Sequence, residues 1–154
     1  MIDRFSGEYE FLSNFYQSEV EYKGIKFQTV EHAFQAAKCK TKEEMQKFTE
    51  YETPGKAKRA GRKVDIRDDW ETVKLFIMEE LLRQKFSNPA MAEKLLETKN
   101  EFLVEGNNWN DTFWGVCDRK GENHLGVILM KLRSELLIGI ANEMMKEFEW
   151  SDVK

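Results

Sequence analysis

Cysteine, histidine and proline each occur only twice in the 154 residues. Cys39 and Cys117, taken with His32 and His124, lack the spacing of a zinc site, so no structural metal is expected. The two cysteines read as buried or half-buried thiols of a reducing compartment. Neither histidine has a carboxylate or serine partner close in sequence, and both are expected to be hydrogen-bonded structural residues. No apolar run is long enough to span a membrane. The start, MIDRFSGEYEFLSNF, carries early acids and no apolar signal core, so a cytoplasmic location is expected. Internal repeats, low-complexity stretches and linkers are missing. So are the nucleophile elbow, the phosphate-binding glycine loop and the dinucleotide fingerprint. A net charge of −4 argues against general coating of nucleic acid, though not against one local contact.

Aromatic residues, by contrast, reach 12%, with tryptophan at 70, 109, 114 and 150. The chain has the length of one ordinary domain, 1–154, and enough apolar content for one core. EVEYKGIKF (19–27) alternates in the manner of a β-hairpin turning at Lys23-Gly24. TVEHAFQAAK (29–38) then changes to a helical period, with Thr29 as N-cap. A short helix is expected over 41–50, and Thr53-Pro54 starts another. Asp69-Trp70 opens the clearest helix, which runs to Phe86 with Val73, Ile77 and Leu81 on one face. Pro89 starts the next, to about Leu96. Residues 102–123 begin with a short strand and continue as a long irregular loop. Leu125, Ile128, Leu129, Leu132, Leu136 and Ile140 mark a final amphipathic helix. The expected fold is mainly α, an α+β chain with one small N-terminal β-hairpin, packed helix on helix.

Three places hold candidate chemistry. The 102–123 loop contains Asp111, Trp114 and Gly115, able to supply a carboxylate, a stacking surface and a close backbone approach. Equally, its tryptophans could plug the core while Asp111 caps a turn. Glu31, Gln35 and Lys38 fall on one helical stripe. Alone, that spacing favours a solvated face; only a pocket above it would make the acid a base or nucleophile and the amine an acid or imine former. The basic run Lys56, Lys58, Arg59, Arg62, Lys63 reads mostly as a solvated face. Arg62, beside Gly61, is retained as a phosphate contact.

These residues fall in ordered blocks: FLSNFY (11–16), TVEHAFQAAK (29–38), TPGKAKRAGR (53–62), DWETVKLFIMEELLRQKF (69–86), LVEGNNWNDTFWG (103–115) and GENHLGVILMKLR (121–133). In that order they resemble the YbiA-like proteins, the NADAR family. The resemblance implies a mainly helical single domain. It also implies hydrolysis of a ribose C1–N bond, either in phosphoribosylamino-pyrimidine intermediates of riboflavin synthesis or in ADP-ribosylated guanine of nucleic acid. It carries Glu31 and Lys38 into the site as catalytic residues, with Asp111, Trp114 and Gly115 from the D-x-x-WG block. Asn14, Phe15, Trp70, Glu105, Asn123 and Gly126 follow as substrate-binding positions. VCDRK (116–120) departs from the glycine-rich loop of some members, which leaves substrate choice open.

C1–N cleavage builds positive charge on C1 and negative charge on the leaving nitrogen. Glu31 is therefore expected to supply a carboxylate near C1. Lys38 either protonates the leaving group or attacks C1 to form an imine. Asp111 would hold ribose hydroxyls or position water, and Trp114 and Phe15 would stack on the base. No cofactor, metal or membrane partner is expected; the partner is a ribosylated or ADP-ribosylated base, with transient contact to modified nucleic acid in the second case. The competing reading is a module that senses ADP-ribose or a related nucleotide without cleaving it.

Overall fold

The computed structural model describes residues 1–152, with side chains described through Phe148; the Trp150 side chain lies outside the described set. The chain forms two compact units, one of residues Phe5–Asn88 and one joining Met1–Arg4 to the chain from Pro89 on.

The first unit opens with a 3₁₀ helix, Gly7–Leu12. Strands β1 (Val20–Tyr22) and β2 (Ile25–Phe27) pair antiparallel, Val20 facing Phe27, as the alternation predicts. Lys23 and Gly24 both take left-handed backbone at the turn. Helix α1 (Val30–Ala36) starts where Thr29 caps it, the hydroxyl accepting from the His32 amide. The helix is shorter than its period suggests: Ala37 caps it, and Lys38 lies on the turn beyond, its amide donating to the Gln35 carbonyl at 3.2 Å. Helices α2 (Lys42–Lys47), α3 (Pro54–Gly61) and α4 (Trp70–Lys85) follow at the expected starts. Thr41 and Thr53 cap α2 and α3 in the same way, and Pro54 takes the first helical position of α3.

Helix α1 packs on α3, α4 and the hairpin. All seven of its residues are buried, polar ones included. His32 is fully enclosed, its ring bridging the Thr29 hydroxyl at 2.8 Å and the Tyr51 carbonyl at 3.0 Å, which is the structural role expected of it.

Lys85, the last residue of α4, is 1% exposed, and its ammonium donates to the Ser13 carbonyl at 2.8 Å. Burial lowers its pKa to about 7. The unfolded chain holds that proton up to an ordinary lysine pKa of about 10.4. Between these values the unfolded state binds more protons, so this group makes stability rise with pH. The penalty is complete below about pH 7 and fades towards pH 10. Lys85→Met should therefore raise Tm most at or below pH 7 and flatten the upward slope between pH 7 and 10. Scanning calorimetry of both proteins checks this; parallel Tm–pH curves would contradict it.

In the second unit, Pro89 starts α5 (Pro89–Glu97) as expected, and α5 packs on α6 (His124–Asp152). Ile2 bridges to Leu103, and two-residue strands β3 (Gly106–Asn107) and β4 (Val116–Cys117) pair in parallel. The VCDRK stretch is a tight turn with Asp118 and Arg119 left-handed and reciprocal backbone bonds between Cys117 and Lys120. The amphipathic stripe of α6 needs a correction. Leu125, Ile128, Leu129 and Leu132 are buried, but Leu136 is only half-buried and Ile140 is 46% exposed. At 1.5 Å per residue, the nine residues of α5 cannot cover the 29 of α6. Among the described residues, no helix is long and apolar enough to cross a membrane.

Candidate active site

The solvated face that spacing alone favours for Glu31 and Gln35 does not exist: each is only 6% exposed. The Glu31 amide is satisfied by the Asn14 carbonyl at 3.1 Å, which fastens the Ser13–Phe15 loop to the start of α1. The Gln35 amide nitrogen donates to Glu31 Oε1 at 2.8 Å, so the carboxylate is held in one orientation. Gln35 is held in turn by Gly61, where an added Cβ would lie 1.9 Å from Gln35 Oε1. That closeness is the reason α3 ends in glycine here.

Lys38 is half-buried, its ammonium 5.9 Å from the Trp70 ring. Burial lowers its pKa; Glu31 opposes this, while Arg62, Lys58 and Lys74 add to the lowering. Those causes define a centre: one buried acid, one amine pushed towards its neutral form, and three further cations. Lys58 reaches over the half-exposed Phe15 ring at 5.9 Å. Trp70, expected to touch substrate, is buried against Phe34 with ring centroids 4.9 Å apart. What it offers the centre is its contact with Lys38. Asn14 is buried, its amide nitrogen donating weakly to Met78 Sδ at 3.5 Å. Among the described residues, Asn14 Oδ1 and Gln35 Oε1 are buried acceptors with no hydrogen-bond partner. Thus six expected site residues of this unit, Asn14, Phe15, Glu31, Lys38, Arg62 and Trp70, are tied to α1 or to the charges around Lys38.

Sequence reasoning did not single out Gln35 as the clamp on Glu31, nor Lys58 and Lys74. Lys58 belongs to the basic run that reads mostly as a solvated face, yet it is half-buried, unlike the exposed Lys56, Arg59 and Lys63. Only the α1–α3 packing distinguishes it.

The remaining six expected residues lie in the second unit. Asp111 Oδ1 accepts from the amides of Phe113 (3.2 Å) and Trp114 (2.9 Å), the turn-capping role weighed above. The tryptophans are not core plugs: Trp109 is 55% exposed and Trp114 half-buried, edge-on to Phe113 at 4.8 Å. His124 stacks on Phe113 at 4.4 Å and lies 3.7 Å from the Glu122 carboxylate, a partner two residues away that the sequence reading overlooked. Asn107, also overlooked, organises the loop. Its side-chain oxygen accepts from the Trp109 and Asp111 amides, and its nitrogen donates to the Asp111 carbonyl at 2.9 Å. Asn123 is buried and left-handed, its amide bonded to the Glu105 nitrogen and the Leu103 carbonyl. Gly126 allows that strap, since a Cβ would sit 2.1 Å from the Leu103 oxygen. Glu105 is half-buried, and Gly115 packs directly on its backbone and carboxylate.

A groove of about 400 Å³ in the first unit is lined by Cys39, Lys47, Phe48, Tyr51 and Lys63 among others. It contains none of the residues expected in the site. Cys39 is buried there, its thiol pushed up to about 11 by burial, and Cys117 is half-buried; both are free thiols, as expected.

The NADAR domain model matches residues 3–137, which takes in both units. The chain belongs to the NADAR family. This NADAR chain is 36% identical to N-glycosidase YbiA of Escherichia coli (strain K12) over 137 residues, 86% of this chain and 85% of that protein. The NMR structure of E. coli YbiA superposes with a TM-score of 0.78 at 34% identity, covering 92% of this chain and 89% of that one. Riboflavin biosynthesis protein VVA0006 of Vibrio vulnificus is 35% identical over 82% of the NADAR chain, which spans only 35% of that longer protein. The mainly helical fold is the one implied by the resemblance, and the small antiparallel hairpin the one expected from the 19–27 alternation.

Proposed function

We propose that the chain is a hydrolase of N-glycosyl bonds that cuts ribose C1 from the nitrogen of a base, with Glu31 and Lys38 as catalytic residues. The observation carrying this reading is the buried, oriented Glu31 carboxylate beside an amine whose pKa is lowered. The relatives named N-glycosidase support the reaction class. The relative named for riboflavin biosynthesis supports a phosphoribosylamino-pyrimidine as substrate.

The lowered pKa suits the attacking role of Lys38, which needs the neutral amine. Its neutral nitrogen bonds to C1 as the C1–N bond breaks. The bonding pair leaves with the base, which takes up the proton that the attacking nitrogen gives up. The sugar opens to an imine that water hydrolyses, freeing the amine. The Glu31 carboxylate stabilises the positive charge that develops at C1. Asn14 Oδ1, a buried acceptor, takes a ribose hydroxyl, and Arg62 takes the phosphate. Substrate roles for Phe15 and Trp70, and for Glu105, Asp111, Trp114, Gly115, Asn123 and Gly126, are proposed from the family blocks they occupy. For Trp70, Asp111, Asn123 and Gly126 the geometry supports positioning more than direct contact.

Mass spectrometry of products, run side by side on a phosphoribosylamino-pyrimidine and an ADP-ribosylated guanine oligonucleotide, tests the function. Release of free pyrimidine and ribose 5-phosphate is expected. Release of ADP-ribose from the oligonucleotide alone would reassign the substrate, and binding with no turnover of either would favour a sensor. For Lys38, borohydride added during turnover should trap a sugar adduct on this side chain. The corresponding limb of kcat should rise with pH through its lowered pKa. An active enzyme giving no adduct and a limb that falls with pH would return Lys38 to the acid role.

A further inference from the structure

Helix α6 carries a second pattern that the core does not use. Beyond Arg133, whose guanidinium donates to Thr98 Oγ1 at 2.8 Å, no described side chain is buried. Yet Leu137, Ile138, Met144 and Met145 lie 51–65% exposed and Ile140 46% exposed, a density of apolar groups that water disfavours. At 100° per residue, Leu137, Ala141 and Met144 return to one line, and Val127, Met130 and Ser134 continue it upstream. The steps alternate 3, 4, 3, 4, 3, the spacing of a seam that meets another helix rather than a flat surface. Ile138 and Met145 flank the seam, and Glu135, Asn142, Glu143 and Lys146 occupy the opposite arc. The NADAR model ends at residue 137, so Ala141 and Met144 lie beyond it.

We propose that this stripe pairs with α6 of a second copy of the chain. The area fits. Val127, Leu137, Ile138, Met144, Met145 and Phe148, each about half or more in water, present on the order of 500–600 Å² of apolar surface per copy. A symmetric pair then removes roughly 1,000–1,200 Å², the threshold of a specific interface. Ala141, between Leu137 and Met144 on the seam, lets the helix axes approach closely. A self-complementary stripe closes on itself by a two-fold axis and leaves no open end. The charge argues against a lipid surface: from 134 to 148 there are three acids, Glu135, Glu143 and Glu147, against one lysine, Lys146, whereas a helix lying on membrane carries lysine and arginine on its polar face.

Sedimentation equilibrium of the full chain over a concentration series tests this. The wild type should sediment as a dimer at tens of micromolar. The double variant L137E/M144E should dimerise at least tenfold more weakly, with unchanged circular dichroism and glycosidase activity. Asn142→Glu, on the polar arc, should leave the dimer intact. A monomeric wild type, a double variant that stays dimeric, or dissociation by Asn142→Glu would each overturn the proposal. So would flotation of the wild type, but not the double variant, with vesicles of mixed phosphatidylserine and phosphatidylcholine. The sedimentation, circular dichroism and flotation readouts do not depend on the proposed glycosidase function, so failure of that function leaves them unchanged.

Discussion

Glu31→Gln should lower kcat by about 10³-fold or more while leaving the fold in place. The substitution keeps the shape of a side chain that is 6% exposed and keeps an oxygen for the Gln35 amide to donate to. It removes only the charge that the proposed mechanism places at C1. A second consequence follows from the electrostatics around Lys38. Glu31 is the one named influence that raises the Lys38 pKa against burial and three cations. Without it that pKa should fall further, so borohydride trapping in any residual turnover should reach its plateau at lower pH. Near-wild-type turnover would remove Glu31 from the chemistry. Lost activity with a Tm lowered by many degrees would mean the carboxylate is needed for folding instead.

The largest structural effect is expected from Gly115→Ala. A Cβ there would lie 2.0 Å from the Glu105 carbonyl oxygen and 2.4 Å from its carboxylate. The Glu105 oxygen cannot yield freely, because it accepts from the Val116 amide at 2.9 Å. The Gly115 oxygen is itself an acceptor for the Asn123 amide at 3.3 Å, so a shift on either side opens the loop. Relief of such overlap costs about 3 kcal/mol, or roughly 10 °C in Tm for a chain of this size. Activity should fall with it, because Asp111 and Trp114 are held by the same turn. Thermal melts with kcat/KM check both; a Tm within a degree or two of wild type would show that the loop relaxes freely.

Local signals explain which parts of the fold were readable. Thr29, Thr53-Pro54 and Pro89 mark helix starts because caps and fixed backbone angles act within a few residues. The hairpin is legible for the same reason. Whether a polar stripe meets water is a long-range matter. Glu31 and Gln35 have the spacing of a solvated face, and only the packing of α3, α4 and the hairpin around a seven-residue helix buries them. Family resemblance corrected that reading where periodicity could not. Lys85 looks like an ordinary cation at a helix C-terminus, and nothing local announces its burial or its bond to Ser13. Asn107 reads as one amide among several until its bonds to Trp109 and Asp111 are visible. On α6 the periodicity continues along one stripe past the end of its partner helix, so only the first four apolar positions reach the core.

A crystal structure of Glu31→Gln bound to an intact phosphoribosylamino-pyrimidine tests the catalytic assignment most directly. Ribose C1 should lie in contact with the residue 31 side chain, with Lys38 Nζ aimed at C1 and the phosphate near Arg62. A sugar seated away from α1, for example in the groove beside Cys39 and Tyr51, would contradict it.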